Sequence, residues 1–368
     1  MAKRRRLHLL GLVCLGLVAL VTGVGLQGVP GSAALSKAFV GPAFAQGQGS
    51  SPGPHATYPQ TALVPSSEVA AMQDRLLDDI VIWVIIIFVV VEGALVVTVL
   101  RYRRRPGGPA PRPIHGNTAL EIGWTVAPAI ILAFIAVPTV KTIFTTAAVP
   151  KDGLEVRVVG HQWWWEVQYP KLGVLTANEI VLPEGQTVAF ALESADVIHS
   201  FWVPAFGGKR DLIPGRTNHL WFTPEGLGTF PGQCAEFCGA SHANMMFKVI
   251  VKPRAEFDAW VATMKSPVPA PDSTSLAARG LEVYRTGQCV ACHMIDGVSY
   301  GVLGPNLTKL GTRSTIASGI YPNDAEHLAR WIKNSPAQKP GSLMPGPPTM
   351  TLTDEQVEAL VAFLQTRR

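Results

Sequence analysis

Hydrophobic and polar positions follow three different rhythms along the chain. From Ile80 to Leu100 nearly every position is apolar and Glu92 is the single charge, which amounts to about 32 Å of helix at 1.5 Å per residue. A second such run extends from about Ile122 to Ile143. The two predict a transmembrane hairpin over residues 70–145. Beyond residue 150 the rhythm changes to period two. Leu154, Val156 and Val158 alternate with Glu155 and Arg157, Val188, Phe190 and Leu192 repeat the pattern, and Phe247, Val249 and Val251 oppose Lys248 and Lys252. Turn signals at Pro183-Glu184-Gly185 and Pro214-Gly215 divide these segments. Short alternating strands predict a β-sandwich or barrel over 150–262. A Pro-rich stretch, 265–275, reads as a semi-rigid linker. Residues 276–368 then predict an all-α domain, with helices before Cys289, around Asp324–Asn334 and from Asp354 to Gln365. Thr351 or Thr353 is placed to cap the last of these, with Asp354 and Glu355 at its positive end.

Charge gives the first two rhythms a direction. Lys3 to Arg6 precede an apolar run, Leu7 to Leu26, and Ala43-Phe44-Ala45 offers a small-residue cleavage site, so residues 1–46 are expected to be a signal peptide. An earlier cut at Ser32-Ala33-Ala34 and an uncleaved third membrane helix remain alternatives. Residues 46–66, rich in Gly, Pro, Ser and Gln, are expected to be a flexible lead-in. The loop between the two apolar runs holds Arg101, Arg103, Arg104, Arg105 and Arg112, which places it on the cytoplasmic side. Everything after residue 145 then faces the periplasm of a bacterial inner membrane. The net charge of +5 arises largely from these two basic clusters and is no signal for nucleic acid. A hydrophobic content of 48% with only 15% charged residues agrees with a membrane-associated chain.

Five cysteines are present, and apart from Cys14 they form two tight pairs. Cys289-Val290-Ala291-Cys292-His293 has the spacing for covalent haem attachment. Thiols one helical turn apart reach the two vinyl groups of one haem, and the next residue supplies an imidazole to the iron. A zinc site would need further ligands, and this region has no other cysteine and one other histidine, His327. An electron carrier wants a thioether as its sixth ligand, because Met raises the potential. Met294 adjoins His293 and cannot reach the opposite face, which leaves Met344 and Met350. Met344, in the loop Pro340-Gly341-Ser342-Leu343-Met344-Pro345-Gly346, is the expected ligand. The region resembles class I cytochromes c over its whole length. Gly304-Pro305-Asn306-Leu307 is similar to the family loop whose proline carbonyl holds the haem-ligating histidine, a role the resemblance implies for Pro305. The resemblance also implies three helices packed around the haem.

The other pair lies in Cys234-Ala235-Glu236-Phe237-Cys238, followed by His242 and Met245, with His199 further upstream. Soft sulfur and imidazole donors select copper over hard cations. A mononuclear blue site takes one thiolate, so the second points to two copper ions bridged by both sulfurs. A disulfide or a Cys2His2 zinc site is the alternative chemistry. With this pattern on the page, residues 70–262 resemble cytochrome c oxidase subunit II, a two-helix hairpin followed by a cupredoxin domain with a dinuclear copper A centre. The resemblance implies that Cys234 and Cys238 bridge the coppers, that His199 and His242 each ligate one, that Met245 is a weak axial ligand and that Glu236 gives its backbone carbonyl. Met246 adjoins Met245, and the family spacing favours Met245. The Glu236 side chain is implied to contact a magnesium ion shared with subunit I.

Gly160-His161-Gln162-Trp163-Trp164-Trp165 is similar to the family's aromatic stretch and puts Trp163 where electrons enter the copper centre. Without the resemblance, three consecutive tryptophans read as packing. Lys209 to Arg216 fits the family segment near subunit I. Glu121 opens the second membrane run; it is a favourable dipole partner there, and by resemblance it admits protons to a pathway in subunit I. Glu92 has no role to carry over. The expected partners are oxidase subunit I and the other oxidase subunits, a cytochrome or cytochrome-reductase electron donor and the lipid bilayer. The expected function is electron relay with no catalytic residue for oxygen chemistry on this chain. A nitric oxide reductase subunit with a copper centre, a nitrous oxide reductase and a non-enzymatic tethered carrier are the competing assignments. The membrane hairpin and the lack of a large second copper domain argue against the second.

Overall fold

Among the described residues, the two long apolar runs form the two longest helices, α1 (Glu68–Tyr102) and α2 (Thr118–Ala147). The structure is a computed structural model describing residues 57–368 apart from 105, 109–112 and 114. The signal segment 1–46, Cys14, and Arg105 and Arg112 of the basic loop lie outside the described residues. Both helices outrun the apolar segments that predict them. No glycine or proline stands between Ser67 and Glu92, so α1 continues back through polar sequence to Ser67, whose hydroxyl accepts from the Ala70 N–H at 3.0 Å. Asn117 caps α2 through the Ala119 and Leu120 amides at 3.1 and 3.2 Å. Two prolines, Pro128 and Pro138, lie inside α2. Side chains on all sides stay open, Phe88 by 63% and Leu132 by 65%, which in a helix apolar all round means a lipid-facing surface. Trp83 stacks on Phe134 at 6.3 Å, joining the two helices of the hairpin.

The chain divides into two units, one of residues 72–145 and one joining the stretch up to Ala71 with 146–368. In the second unit the period-two segments form ten strands: β1 (Leu154–His161), β2 (Trp164–Tyr169), β3 (Val174–Ala177), β4 (Glu179–Pro183), β5 (Val188–Ser194), β6 (His199–Trp202), β7 (Arg210–Leu212), β8 (Asn218–Phe222), β9 (Gly228–Cys234) and β10 (Met246–Lys252). They build two five-stranded sheets, in the orders β3-β2-β1-β5-β8 and β4-β10-β9-β6-β7. The alternating residues Val156, Val158, Phe190, Leu192, Val249 and Val251 are all buried, so the pattern in the sequence is the inner face of a sandwich. Its aromatic centre is Trp165, edge-on to Phe201 and Phe247 at 6.0 and 5.2 Å.

The lead-in differs from expectation. Instead of a free segment, residues 57–67 pack on the sandwich. Tyr58 stacks on Phe230 at 4.1 Å, its amide donates to the Thr229 carbonyl, and Ser66 and Ser67 are buried. One aromatic ring and a few backbone bonds suffice to order it against an open strand. Glu68 closes the stretch by accepting from the Thr223 amide and hydroxyl at 2.9 and 2.6 Å.

After α3 (Arg254–Lys265) the Pro-rich segment is also anchored. The Pro269 carbonyl accepts from the Arg367 guanidinium at 3.0 Å, and the Ser266 hydroxyl accepts from the Lys309 ammonium at 3.0 Å. The last region holds α4 (Leu276–Thr286), α5 (Cys289–Cys292), α6 (Ala325–Lys333), α7 (Ser335–Gln338) and α8 (Asp354–Gln365). It adds two short ladders, β11 (Met294–Ile295) with β12 (Ser299–Tyr300) and β13 (Thr315–Ile316) with β14 (Tyr321–Pro322). Ser275 and Asp324 cap α4 and α6, and Thr353 caps α8 in a reciprocal box with Gln356. Helices α4 and α8 cross at Gly280, where a Cβ would stand 1.9 Å from the Ala359 carbonyl oxygen, so only glycine permits the approach. Tyr284, Leu328, Ile332, Leu360 and Phe363 fill the core between α4, α6 and α8.

Candidate metal centres

The first centre is built where β9 stops. Residues 235–245 leave the sheet at Cys234, turn at Gly239 (φ 114°) and at a 3-10 turn over His242–Asn244, and return as β10. The Cys234 amide donates to the Met245 carbonyl at 2.9 Å and closes the loop. That closure gathers the donors. The two sulfurs lie 3.7 Å apart, and both cysteines are free thiols. Cys234 Sγ is 4.0 Å from His199 Nδ1 and 3.2 Å from the Glu236 carbonyl. Cys238 Sγ is 3.7 Å from His242 Nδ1 and 3.8 Å from Met245 Sδ. His199 reaches in from β6 on the same sheet. All six expected copper ligands are therefore brought together. Met246 is excluded by its direction: its Cβ packs towards Gly319 on the far side of the strand.

The donor set fits the copper pair. A sulfur separation of 3.7 Å is below twice a metal–thiolate bond of about 2.3 Å, so ions can bridge both sulfurs. Buried soft donors also exclude hard cations. The contact with Cys238 pulls the Cys234 thiol well below the ordinary thiol range, while the same contact holds Cys238 protonated. Asp196 fixes the ring of His199, with Nε2 at 2.7 Å from its carboxylate, and so directs Nδ1 at the sulfur. Burial is the largest influence and disfavours charge on both groups, but their mutual bond outweighs it together with the Val197 and Gln162 amides on Asp196 and the Cys234 contact on His199, so the Asp196 pKa is lowered and that of His199 raised. Sequence reasoning missed Asp196; its position three residues before a ligand histidine was the available signal.

The second centre surrounds a cavity of about 540 Å³. Cys289 and Cys292 sit on the single turn of α5, and His293, Pro305, Met344 and Met350 line the same space. The Pro305 carbonyl accepts from His293 Nδ1 at 2.8 Å, which leaves Nε2 free to ligate a metal. Gly304 allows this approach, since a Cβ there would lie 2.6 Å from the imidazole. Burial lowers the His293 pKa, favouring the neutral ring that a metal requires. A smaller adjoining cavity of about 100 Å³ is lined by Arg313. That guanidinium is 8% exposed, donates to the Asn306 carbonyl at 2.5 Å, and has its Nε buried without a partner among the described residues. Burial pushes its pKa down to about 10. The two adjoining cavities, the larger with two thiols, an imidazole and facing thioethers and the smaller with an orphaned cationic donor, together fit a haem with its carboxylates. Arg313 gave no sequence signal, because one arginine in a loop reads as solvated.

Trp163 connects the centres. Its indole N–H donates to the Cys238 carbonyl at 3.0 Å, an acceptor that also takes the Gln162 amide at 2.7 Å, and its ring borders the larger cavity. Trp165, by contrast, is core. Glu236 is exposed, and so are Lys209 and Arg210. Glu121 accepts from the Asn117 amide at 3.2 Å and thereby supports the start of its own helix.

Three family models match in chain order: cytochrome c oxidase subunit II, transmembrane domain, over residues 57–142; the periplasmic domain of the same subunit over 172–252; and cytochrome c over 277–368. Cytochrome c oxidase subunit 2 of Alkalihalophilus pseudofirmus is 40% identical over 83% of this chain and 90% of its own length. The protein of the same name from Bacillus sp. PS3 is 38% identical over 72% of this chain and 79% of its own. That from Bacillus subtilis is 33% identical over 83% and 91%. With its membrane hairpin, its cupredoxin sandwich on the periplasmic side and a cytochrome c domain on the same polypeptide, this chain belongs to the cytochrome c oxidase subunit II family.

Proposed function

We propose that electrons reach this chain one at a time from a reduced cytochrome or cytochrome reductase at the domain of residues 276–368, pass by way of Trp163 to the site around Cys234 and Cys238, and leave for subunit I. As a member of its family, the chain is the electron-receiving subunit of a membrane cytochrome c oxidase, and oxygen is reduced in the partner subunit. The relatives carry oxidase names, which favours this function over a nitric oxide reductase subunit or a free-standing carrier. The observation that carries the relay is the double engagement of Trp163, bonded to the Cys238 carbonyl and bordering the cavity of His293.

Each residue has a defined task. Cys289, Cys292, His293 and Met344 would hold the haem, the two cysteines by thioether bonds and His293 through Nε2. Cys234, Cys238, His199, His242, Met245 and the Glu236 carbonyl would together hold the copper pair. The haem and the copper pair, when bound, supply one-electron carriage. Asp196 keeps the His199 ring in its ligating orientation, and Gln162 with Trp163 holds the Cys238 backbone. The exposed Glu236 side chain is the candidate contact for magnesium at the subunit I interface, with Lys209 to Arg216 on the face turned to that subunit. Glu121 is the candidate for proton admission.

Stopped-flow reduction by a cytochrome donor tests the order. The haem should reduce first, and copper should follow at a rate independent of protein concentration. Unchanged turnover with that donor in Cys289→Ala would overturn the relay.

A further inference from the structure

The cytochrome domain sits directly on the copper domain, through contacts that neither metal site requires. Lys339, 4% exposed, donates to the Trp163 carbonyl at 2.6 Å and to the Ala317 carbonyl at 3.2 Å. Ser318 donates to the same Trp163 carbonyl at 2.7 Å, and Ser241 donates to the Pro340 carbonyl at 2.6 Å. In the other direction, Glu179 of the copper domain, 6% exposed, accepts from the amides and hydroxyls of Ser314 and Thr315 at 2.6 to 3.1 Å. At Gly341 (φ 79°) a Cβ would stand 2.6 Å from the Trp163 ring.

A second observation falls at the same place. Among the described residues, the non-glycine positions with positive φ are Asn178 (62°), Ala317 (55°) and Ser318 (63°). They meet here: the Ser318 hydroxyl lies 3.2 Å from the Asn178 side-chain oxygen, and the Met246 amide donates to the Ser318 carbonyl. Such backbone persists only where its surroundings over-determine it. Buried charges likewise need full hydrogen bonding. Separating the domains would strip Glu179 of all four donors and Lys339 of the shorter of its two bonds.

We propose that Glu179 and Lys339 are positioning residues for haem-to-copper electron transfer: each domain buries one hydrogen-bonded polar side chain in the other, and together they lock the cytochrome domain in a single seat over Trp163. This rests on the relay proposed above. In the step itself one electron leaves ferrous haem, the haem becomes ferric and the copper pair gains that electron; no bond breaks and no proton moves. A merely tethered domain would first have to find its seat, at a rate set by linker reach and solvent viscosity. A seated one transfers without that delay.

The test uses the full metal-loaded chain in detergent, with two readouts. Amide hydrogen exchange is followed at Thr315 and Met246, whose N–H groups donate across the boundary, and haem-to-copper transfer is followed in rising glycerol. Transfer in the unaltered chain should not respond to viscosity. Lys339→Met and Glu179→Ala should each raise exchange at both amides at least tenfold, slow transfer at least tenfold and make it viscosity-dependent. Donor-to-haem reduction and both metal spectra should not change. Glu179→Gln, which keeps a carbonyl acceptor, should restore most of the rate, and the exposed control Lys333→Met should match the unaltered chain. Viscosity-dependent transfer in the unaltered chain, or unaltered exchange and rates in both Lys339→Met and Glu179→Ala, would overturn the proposal. Should Lys339→Met lose either spectrum, Glu179→Ala against Glu179→Gln decides by the same criteria. Copper reduced ahead of the haem would instead sink the relay.

Discussion

The chain uses a close pair of cysteines twice, and the two settings are opposite. Cys234 and Cys238 are 4% and 3% exposed and are tied to His199, His242, Met245 and the Glu236 carbonyl by contacts of 3.2 to 4.0 Å. Cys289 and Cys292 are half-buried on one helical turn at the wall of a cavity. A copper ligand must be a thiolate, and the contact between the two sulfurs draws the pKa of Cys234 down while it raises that of Cys238, so Cys234 is the first of the pair to ionise. A thiol that becomes a haem thioether ends neutral, and burial raises the pKa of Cys289 instead. The copper site is assembled by backbone: one strand end, one closed loop and two sheets that exist for their own packing. The haem site is a space walled by α5, by Trp331 of α6, by the loops carrying His293, Pro305 and Met344, and by Trp163 of the copper domain. One cofactor completes a structure that stands already; the other is part of the core.

The largest effect should come from removing each cofactor in turn. A dry cavity of about 540 Å³, at about 24 cal/mol per Å³, would cost on the order of 13 kcal/mol. That is an upper bound because water enters, but it is comparable to the whole stability of a domain. Cys289→Ala/Cys292→Ala, made without haem, should lose the helical signal and protease resistance of residues 276–368. Removing copper from the unaltered chain by chelation should leave the sandwich folded, with its Tm lowered by only a few degrees. Equal losses of structure would erase the contrast drawn between the sites.

A smaller effect separates the two thioethers that line the haem cavity, Met344 and Met350. The Ser335 hydroxyl donates to the Met344 carbonyl at 2.8 Å and pins that loop. Met344→Ala should abolish the iron–sulfur absorption band and lower the haem potential by roughly 0.1 V, within the ~0.8 V span that axial ligands command. Met350→Ala should do neither, and the reverse result would exchange their roles. Smaller again is Glu121. Its carboxylate supports the helix start, a task that Gln can also perform. Glu121→Gln should keep the fold, leave haem-to-copper transfer unchanged and slow oxygen reduction severalfold; full activity would reduce Glu121 to a helix-capping residue.

Both metal sites were legible because their donors lie close in sequence and their chemistry is narrow. Six candidate copper donors, which the structure brings together, and the Cys-Cys-His run stand out against any background, and the period-two pattern at Val156, Phe190 and Val249 gave away the sandwich. What stayed hidden depends on distant partners. Lys339, in Gln338-Lys339-Pro340-Gly341, reads as a solvated loop lysine, and only the docked Trp163 carbonyl explains its burial. Glu179 reads as a strand-end charge, and Arg313 as a surface arginine. The lead-in looked free because composition cannot register that Tyr58 finds Phe230. The membrane runs, by contrast, were fixed by apolar length, and only their polar extensions escaped, since a helix continues until something stops it.

The smallest expected effect lies on the copper side and concerns acid. Arg157 bonds Glu193 across β1 and β5 at 2.6 Å, and this bond holds the Glu193 carboxyl below its ordinary value of 4.5. The folded state therefore binds fewer protons than the unfolded state in that range. The resulting stability is fully present above about pH 4.5 and is lost as pH falls through the lower folded pKa. Both side chains are about a third open, at 35% and 29%, so screening limits the pair to at most about 1 kcal/mol. On the haem side, the Asp324 carboxyl is lowered first by the His327 amide at the start of α6 and then by the His327 ring, but its side chain is about half open, at 49%. Unfolding monitored from pH 6 to pH 3 should show Glu193→Gln flattening the acid limb of the copper domain slightly, while Asp324→Asn, which keeps the capping oxygen, alters the cytochrome domain less. An equal or larger change at Asp324 would mean that the open cap, and not the half-buried ion pair, sets acid sensitivity.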